Sequence, residues 1–293
     1  MDVSIMILTK NAGGNFEPLL ERIFSQQFDG QFEVLTVDSG STDSTLKIAR
    51  GFPVRITEIR PEEFHHGKTR NLGADLSQGS ILVYITQDAL PLKNDWLQKL
   101  ASAFQDPNVA MVCGRQIPWE TTKPPEKFFY VYYFPTTKIV LAPQTSNVYR
   151  DNVFISNVNS AIRKDIWQQF RFSESITMVE DKEFAKRILS AGWNIIYEPD
   201  AAVYHGHDFS LRSAFERYID YGVSYSQGVK GLPKSGGSGI GKASRYLAEE
   251  VKYLASNGYL RWLPYSVLYE ASKWLGSCLG QIMGKNVFKI GRQ

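Results

Sequence analysis

Apolar positions along this chain fall into short runs that alternate with helical patterns. Ile81-Leu-Val-Tyr-Ile85 is almost wholly apolar, which is how a strand covered on both faces of a parallel sheet reads. The run stops at Thr86-Gln87-Asp88, and Pro91 prevents it from continuing. Residues 3–9, 32–37, 54–59, 109–113 and 153–162 read as further strands, with two short ones at 194–197 and 201–205. Helical spacing covers 16–28, 68–78, 94–104, 180–191 and 211–227, and Gly79 and Gly192 close two of these helices. The turn at 39–43 offers Ser41, Thr42 or Asp43 as the cap of one more helix. Strands and helices alternating in this way predict an α/β fold built from βαβ units around a central, mostly parallel sheet. Residues 114–152 hold five prolines and many aromatics without a period, and are expected to form long loops over the sheet's carboxyl edge.

The last part of the chain has a different texture. Gly231 to Gly241 carries five glycines in eleven residues and reads either as a flexible lid or as a plain linker. This divides the chain into an α/β domain over 1–228, a glycine-rich linker or lid over 229–241 and a helical extension over 242–293. Within the extension Leu247, Val251, Leu254 and Ala255 keep helical spacing. A longer stripe does the same: Val267, Leu268, Ala271, Trp274, Leu275, Cys278, Leu279, Ile282 and Met283. Glu270 and Lys273 lie off it. The stripe is expected to pack on the body; docking on a membrane surface is the alternative.

Composition narrows the class. The 293 residues are 43% hydrophobic and 22% charged, as in soluble globular proteins. A net charge of +3 is too small to imply nucleic acid. Its distribution is uneven: from Asp208 onward there are twelve Lys/Arg against six Asp/Glu, and before it 21 against 24. A basic tail on a slightly acidic body suits either an anionic surface such as a membrane or an ordinary solvated face. Cys113 and Cys278 sit in apolar settings without a CxxC and read as reduced core residues. With no charged-then-apolar leader and no membrane-length apolar run, a cytoplasmic protein is expected.

Several features carry candidate chemistry. Asp88 follows a central strand, where open α/β sheets bind ligands; it either caps the helix near Asn94 or holds a cation against a phosphate. Asp38, at the same edge, either accepts the imide N–H of a uracil or thymine or bonds its own backbone, while Thr9 to Gly13 presents backbone to a base. His66-Gly-Lys-Thr-Arg-Asn71 places cations at a helix N-terminus, which suits a diphosphate. Glu180-Asp181 opens a helix, either to satisfy its dipole or to supply a general base. The four histidines form the pairs His65-His66 and His205-Gly-His207, and the second pair, at a strand end, can join Asp88 around a divalent cation. Neither a GxGxxG after a strand nor a GxxxxGK[ST] is present, which counts against a dinucleotide dehydrogenase and a P-loop NTPase.

These motifs together resemble a family 2 glycosyltransferase of the GT-A fold from Val3 to about Tyr221. The resemblance rests on Ser4-Ile-Met-Ile-Leu-Thr-Lys-Asn11, Val37-Asp-Ser-Gly-Ser-Thr-Asp-Ser-Thr45, His66-Gly-Lys-Thr-Arg-Asn-Leu-Gly-Ala74, Asp88 and Glu180-Asp181. Thr86–Pro91, Gly114–Pro118, Ser156–Ala161 and Tyr197–His205 further resemble bacterial rhamnosyltransferases. The resemblance implies a nucleotide-sugar donor and inversion at the anomeric carbon. In that scheme Asp38 contacts the base, and Arg70 or Lys68 the diphosphate, with Thr9, Asn71 and Gln87 in the same donor site. Asp88 holds a Mg2+ or Mn2+ ion with His205 or His207 beside it, Asp181 is the base, and Glu180 orients it or binds acceptor. One departure stands out: the family's DxD is reduced to Gln87-Asp88-Ala89, leaving one acidic ligand. The implied reaction moves a deoxyhexose, L-rhamnose from dTDP-L-rhamnose, onto a cell-surface polysaccharide or a lipid-linked glycan, with membrane contact through the basic C-terminal helices. Its alternatives are a UDP-hexose or UDP-HexNAc donor and a sugar-nucleotide-binding module without turnover. Trp119, Tyr130, Tyr132 and Tyr133 either stack on sugar rings or pack internally.

Overall fold

The apolar run at Ile81–Ile85 is a strand with a neighbour on each side and a packed layer on each face, which is why both of its faces are apolar. The computed structural model describes residues 1–143, 155–228 and 239–290. The chain begins β1 (Val3–Thr9), α1 (Phe16–Phe24), β2 (Phe32–Asp38), α2 (Thr45–Ala49), β3 (Val54–Glu58), α3 (His66–Leu76), β4 (Ile81–Ile85). It continues β5 (Leu90–Pro91), α4 (Trp96–Ser102), β6 (Val109–Ile117), α5 (Pro124–Tyr133), β7 (Ile139–Leu141), β8 (Asn159–Arg163), α6 (Lys164–Phe170). It ends α7 (Glu180–Ser190), β9 (Asn194–Tyr204), α8 (Leu211–Gly228), α9 (Gly239–Ser256) and α10 (Leu263–Ile290).

Among the described residues the strands form one sheet in the order β3-β2-β1-β4-β8-β6-β9-β5, with β7 also on β9. β1 to β4 are mutually parallel and β6 is parallel to β9. β8 runs against both β4 and β6, so the long strands other than β8 share one direction. This is the mostly parallel α/β sheet the alternation predicts. Side chains alternate across it: Val3, Ile5 and Ile7 of β1 meet Leu19, Leu20 and Ile23 of α1 in one layer, while Met6 joins Trp167 and Phe184 in the other.

The sequence reading needs correction in several places. Residues 114–152 are not all loop: β6 runs on to Ile117, and α5 and β7 follow. Pro124 and Pro125 open α5, at the one helical position where a missing N–H costs nothing, so these prolines start an element rather than break one. The segment at 194–205 is one strand, with an irregular register against β6 between Gly114 and Gln116. α1 stops at Phe24 because Gln26 leaves it to brace α4, donating to the Lys93 carbonyl and accepting from the Leu97 N–H. Of the strand expected at 153–162, residues 153 and 154 lie outside the described residues and pairing begins at Asn159; α6 follows directly and was not expected. Most of the glycine-rich stretch, 229–238, also lies outside the described residues.

The largest correction concerns α10. Its apolar stripe does not pack on the body: Val267, Leu268, Trp274, Leu275, Leu279, Ile282 and Met283 are all exposed, Trp274 by 62%. The face turned to α8 is made of small groups instead. A methyl group on Gly276 would fall 2.5 Å from the Phe215 carbonyl oxygen, and Gly222 and Gly280 are closer still to the opposite backbone. Small residues at that spacing let two helices touch through their main chains. Beside this seam lie Tyr269 and Lys273, both buried.

Candidate active site

Strand direction sets the site. Because β2, β4, β6 and β9 point the same way and β8 opposes them, the carboxyl ends of the first four and the amino end of β8 meet on one edge. Asp38 ends β2, Asp88 follows β4, His205 and His207 follow β9, and Asn157 precedes β8. Asp181, in the first turn of α7, joins them through the Asn157 N–H, which it accepts at 3.2 Å.

At one end of this rim the β1 and β2 loops are tied together. Asp38 is fully buried and accepts from Thr9 Oγ1 at 2.8 Å, the Gly40 and Ser41 N–H groups at 2.9 and 2.8 Å, and Ser41 Oγ at 2.6 Å. In this conformation its carboxylate shapes the turn. Gln87 links this loop to the next one: its Oε1 accepts the Lys10 N–H at 2.8 Å and its Nε2 donates to the Lys10 carbonyl at 3.1 Å. Gln87, the residue before the one retained acid, is therefore a backbone clamp. Asp88 does not cap α4, which begins at Trp96 behind Asp95.

In the middle, His205 Nε2 and His207 Nε2 each lie 3.7 Å from a different oxygen of Asp88. One ligand atom from each residue lies within 4.8 Å of the others, and two imidazoles with a carboxylate suit a divalent first-row cation such as Mn2+. Burial acts to raise the Asp88 carboxyl, yet the two imidazoles, with the Thr86 hydroxyl and the Asp88 N–H as hydrogen-bond donors, outweigh it and hold it below its usual value. Burial also pushes His205 down to about 4 and lowers His207. An ionised carboxylate beside neutral imidazoles is the state that ligation needs. Gln116 orients His205: the buried amide oxygen lies 2.9 Å from Nδ1, so Nδ1 carries the proton and Nε2 turns its lone pair to Asp88. Tyr130 Oη stands 3.3 Å from the same Nδ1.

The other end is acidic and buried. Arg70 is paired with Glu180, both largely hidden from solvent. Asp181 accepts from the Lys182 N–H at 2.7 Å. Burial, then the negative charge of Glu180, raises its carboxyl above the usual range, although Lys182 and Arg70 oppose this. His66, which opens α3, is pushed down to about 4 by burial and the Arg70 charge. Lys68 is exposed, two residues before Arg70 and so on the other side of α3. Asn71 points elsewhere: its amide bonds Phe172, Glu174 and Trp167 and holds the loop before α7. Of the candidate aromatics, Tyr132 and Tyr133 pack on Tyr246 of α9, and Trp119 stacks on Tyr204 at 5.1 Å. The rim thus brings Thr9, Asp38, Gln87, Asp88, Glu180, Asp181, His205 and His207 together with Arg70. Gln116 and Asn157 were missed, although both lie in stretches whose wording already resembled rhamnosyltransferases.

Comparison with known proteins gives the family and the fold. The profile of glycosyl transferase family 2 matches residues 4–168. The O-antigen chain rhamnosyltransferase WbaN of Salmonella anatum is 32% identical over 95% of this chain and 89% of its own length. RfbN of Salmonella typhimurium, with the same description, is 30% identical over 96% of this chain and 90% of its own. Among solved structures, the mannosyltransferase PcManGT of Pyrobaculum calidifontis, in complex with GDP-Man and Mn2+, superposes with a TM-score of 0.59 at 19% identity, covering 99% of this chain and 79% of that one. S. aureus TarS 1-349 in complex with UDP-GlcNAc gives 0.61 at 14% identity, covering 98% and 92%. These structures share the GT-A fold, and the chain belongs to glycosyl transferase family 2, as an enzyme that transfers sugars.

Proposed function

We propose that this protein is an inverting rhamnosyltransferase that moves L-rhamnose from dTDP-L-rhamnose onto a growing cell-surface polysaccharide or its lipid-linked precursor. What carries this reading is how far the likeness to the O-antigen enzymes extends. It runs past residue 168, where the family profile ends, through Asp181, the two histidines and the C-terminal helices. The rim residues fit the chemistry. The acceptor hydroxyl gives its proton to Asp181, its oxygen bonds the anomeric carbon from the opposite face, and the bond to the diphosphate breaks with its electron pair leaving on the phosphate. A carboxylate of raised proton affinity suits that task. Glu180, held by Arg70, keeps Asp181 basic. A divalent cation held by Asp88, His205 and His207 would offset the charge that builds on the departing diphosphate. Lys68 and the Lys10–Ser41 loop supply the diphosphate and base ends of the donor site.

The competing donor is a UDP-hexose or UDP-HexNAc, which the TarS complex with UDP-GlcNAc favours. The single acidic ligand of Gln87-Asp88-Ala89 favours a binding module without turnover. A thermal-shift panel of nucleotide sugars, each with Mn2+, Mg2+ or chelator, separates these. Stabilisation is expected with dTDP-L-rhamnose, at 100 times Kd by about 2.7 kcal/mol. A response only to UDP-sugars moves the donor assignment, and indifference to every nucleotide removes the enzyme reading.

The same proposal places the enzyme in the cytoplasm at the inner face of a membrane, docked through α10. The exposed stripe from Val267 to Met283 is about 24 Å long and carries no charged residue. The nearest charges, Glu270 and Lys273, pair with each other at 2.7 Å beside the inner seam. The sequence around it is basic, and among the described residues no helix is long and apolar enough to cross a membrane. An apolar face with Trp274 and a basic surround matches the surface of an anionic bilayer.

A further inference from the structure

A cavity of about 20 Å3 lies under the rim between Asp88 and Asp181, lined by Leu8, Arg70, Tyr84, Ile85, Thr86 and Asn157 among others. That volume holds one water-sized group. Two of its lining residues carry a buried side-chain atom that makes no hydrogen bond, Tyr84 Oη and Asn157 Nδ2, while the Thr86 hydroxyl is turned to Asp88. Buried polar groups are nearly always satisfied, so two unsatisfied ones on residues around one space point to a missing partner. The remaining groups of Asn157 are already engaged: its N–H bonds Asp181, and its Oδ1 accepts from Ser160 Oγ at 2.8 Å.

The lining defines the partner. Asn157 Nδ2 only donates, whereas the Tyr84 and Thr86 hydroxyls both donate and accept. A cation is disfavoured by the amide donor and by Arg70. A phosphate is too large, and the Arg70 charge is already met by Glu180. A hydroxyl oxygen fits, since it accepts from Asn157 and can donate to a neighbouring oxygen. The position adds a second constraint. Thr86 stands two residues before Asp88, where the leaving diphosphate is held, and Asn157 is bonded to the base. In an in-line displacement the transferred sugar lies between those two ends.

We propose that this cavity is a subsite for one hydroxyl group of the transferred hexose, with a water molecule in the same place when no sugar is bound. The assignment rests on the transferase reading, including Asp88 as the diphosphate end of the site. It makes Tyr84 and Asn157 readers of the sugar rather than of the nucleotide.

Isothermal titration of dTDP and of dTDP-L-rhamnose into wild type, Asn157→Leu and Tyr84→Phe tests it. The nucleotide sugar is expected to weaken by about tenfold in either variant, while dTDP binds as before. Tyr84→Phe removes a single oxygen and keeps the test open if Asn157→Leu fails to fold. Crystals with dTDP should show one ordered water within hydrogen-bond reach of Tyr84 and Asn157, and crystals with dTDP-L-rhamnose a sugar hydroxyl in its place. Equal weakening of both ligands, no weakening of the sugar nucleotide, or a water that stays beside the bound sugar would each overturn the subsite. A wild type that binds neither ligand removes the donor reading itself and the subsite with it.

Discussion

The sheet body and the C-terminal helix pair solve the burial problem in opposite senses. In the body, the apolar faces of β1, β4 and β6 are sealed under α1, α4, α6 and α7, and polar side chains gather on one rim. In the pair, α8 and α10 meet through glycines, while leucines, an isoleucine and a tryptophan face outward. A helix in water turns its large apolar side chains inward, so the outer face of α10 is built for a different neighbour. The body gathers its polar groups on one rim, and the pair leaves its large apolar groups exposed. The two are joined at α5: Phe128 packs on Tyr246 and Tyr253 of α9, Glu126 bonds Tyr269 of α10, and Tyr130 reaches His205.

The sharpest way to isolate the body's role is Asp181→Asn. Turnover should fall by 10²–10⁴-fold or more, while dTDP-L-rhamnose binding, read by titration, stays within a few-fold of wild type. Retained turnover would move the base elsewhere on the rim. The corresponding cut in the pair is the double variant Leu275→Glu/Ile282→Glu. Each side chain is worth roughly 1.5–3 kcal/mol when fully withdrawn from water, so binding to anionic vesicles in co-sedimentation should drop by about 100-fold. Because both positions are exposed, the melting temperature in the absence of lipid should barely move. A large loss of stability would mean that this face is already covered, and the contrast between the two regions would fail.

Legibility in the sequence divides along the same line. The body was readable because strands buried on both faces must be uninterrupted apolar runs, and because Asp38, Asp88, Asp181 and His205 all fall at element ends. Gln116 and Asn157 were not readable, since Gln116 acts through one side-chain contact to His205 and Asn157 through its backbone N–H to Asp181, and neither pattern nor spacing records such contacts. The role of Gln87 was hidden for the same reason: its clamp on Lys10 depends on two loops 77 residues apart in sequence meeting in space. On α10 the period was correct and its direction was not. An apolar stripe gives the angle of a helix face but not whether protein or lipid lies opposite; the glycines at 276, 280 and 284 were the signal that the other face was the packed one.

Gln116→Leu tests whether the body's proposed metal ligands are held as tightly as its geometry implies. Loss of the acceptor frees His205 to place its proton on Nε2. Mn2+ affinity, measured by titration in the presence of dTDP, is expected to fall 10- to 100-fold, and Gln116→Glu should retain most of it. Nitrogen-15 spectra of the metal-free protein, with only four histidines to assign, give the tautomer directly. An unchanged tautomer in Gln116→Leu would remove this amide from the account.

The smallest effect separates two carboxyls that burial raises in the two regions. In the proposed mechanism Asp181 uses its raised proton affinity as the base; Glu250 on α9 has no such role there. It is buried, accepts from Ser266 Oγ at 2.6 Å through one oxygen, and leaves the other without a partner. Burial pushes it up to about 7, from 4.5 when free. A group whose folded value is raised contributes stability that is complete below the unfolded value and is lost as pH rises through the folded one. The contact of α9 with α10 should therefore be firmer at pH 5 than at pH 8. Glu250→Gln keeps the acceptor for Ser266 and removes the charge, so at pH 8 it should raise the melting temperature by roughly 3 °C and at pH 5 bring no gain. Because the group is far from the rim's chemistry, turnover should not follow. A variant less stable than wild type at pH 8 would mean that the carboxylate has a partner after all, and that the pair, like the body, satisfies the charges it buries.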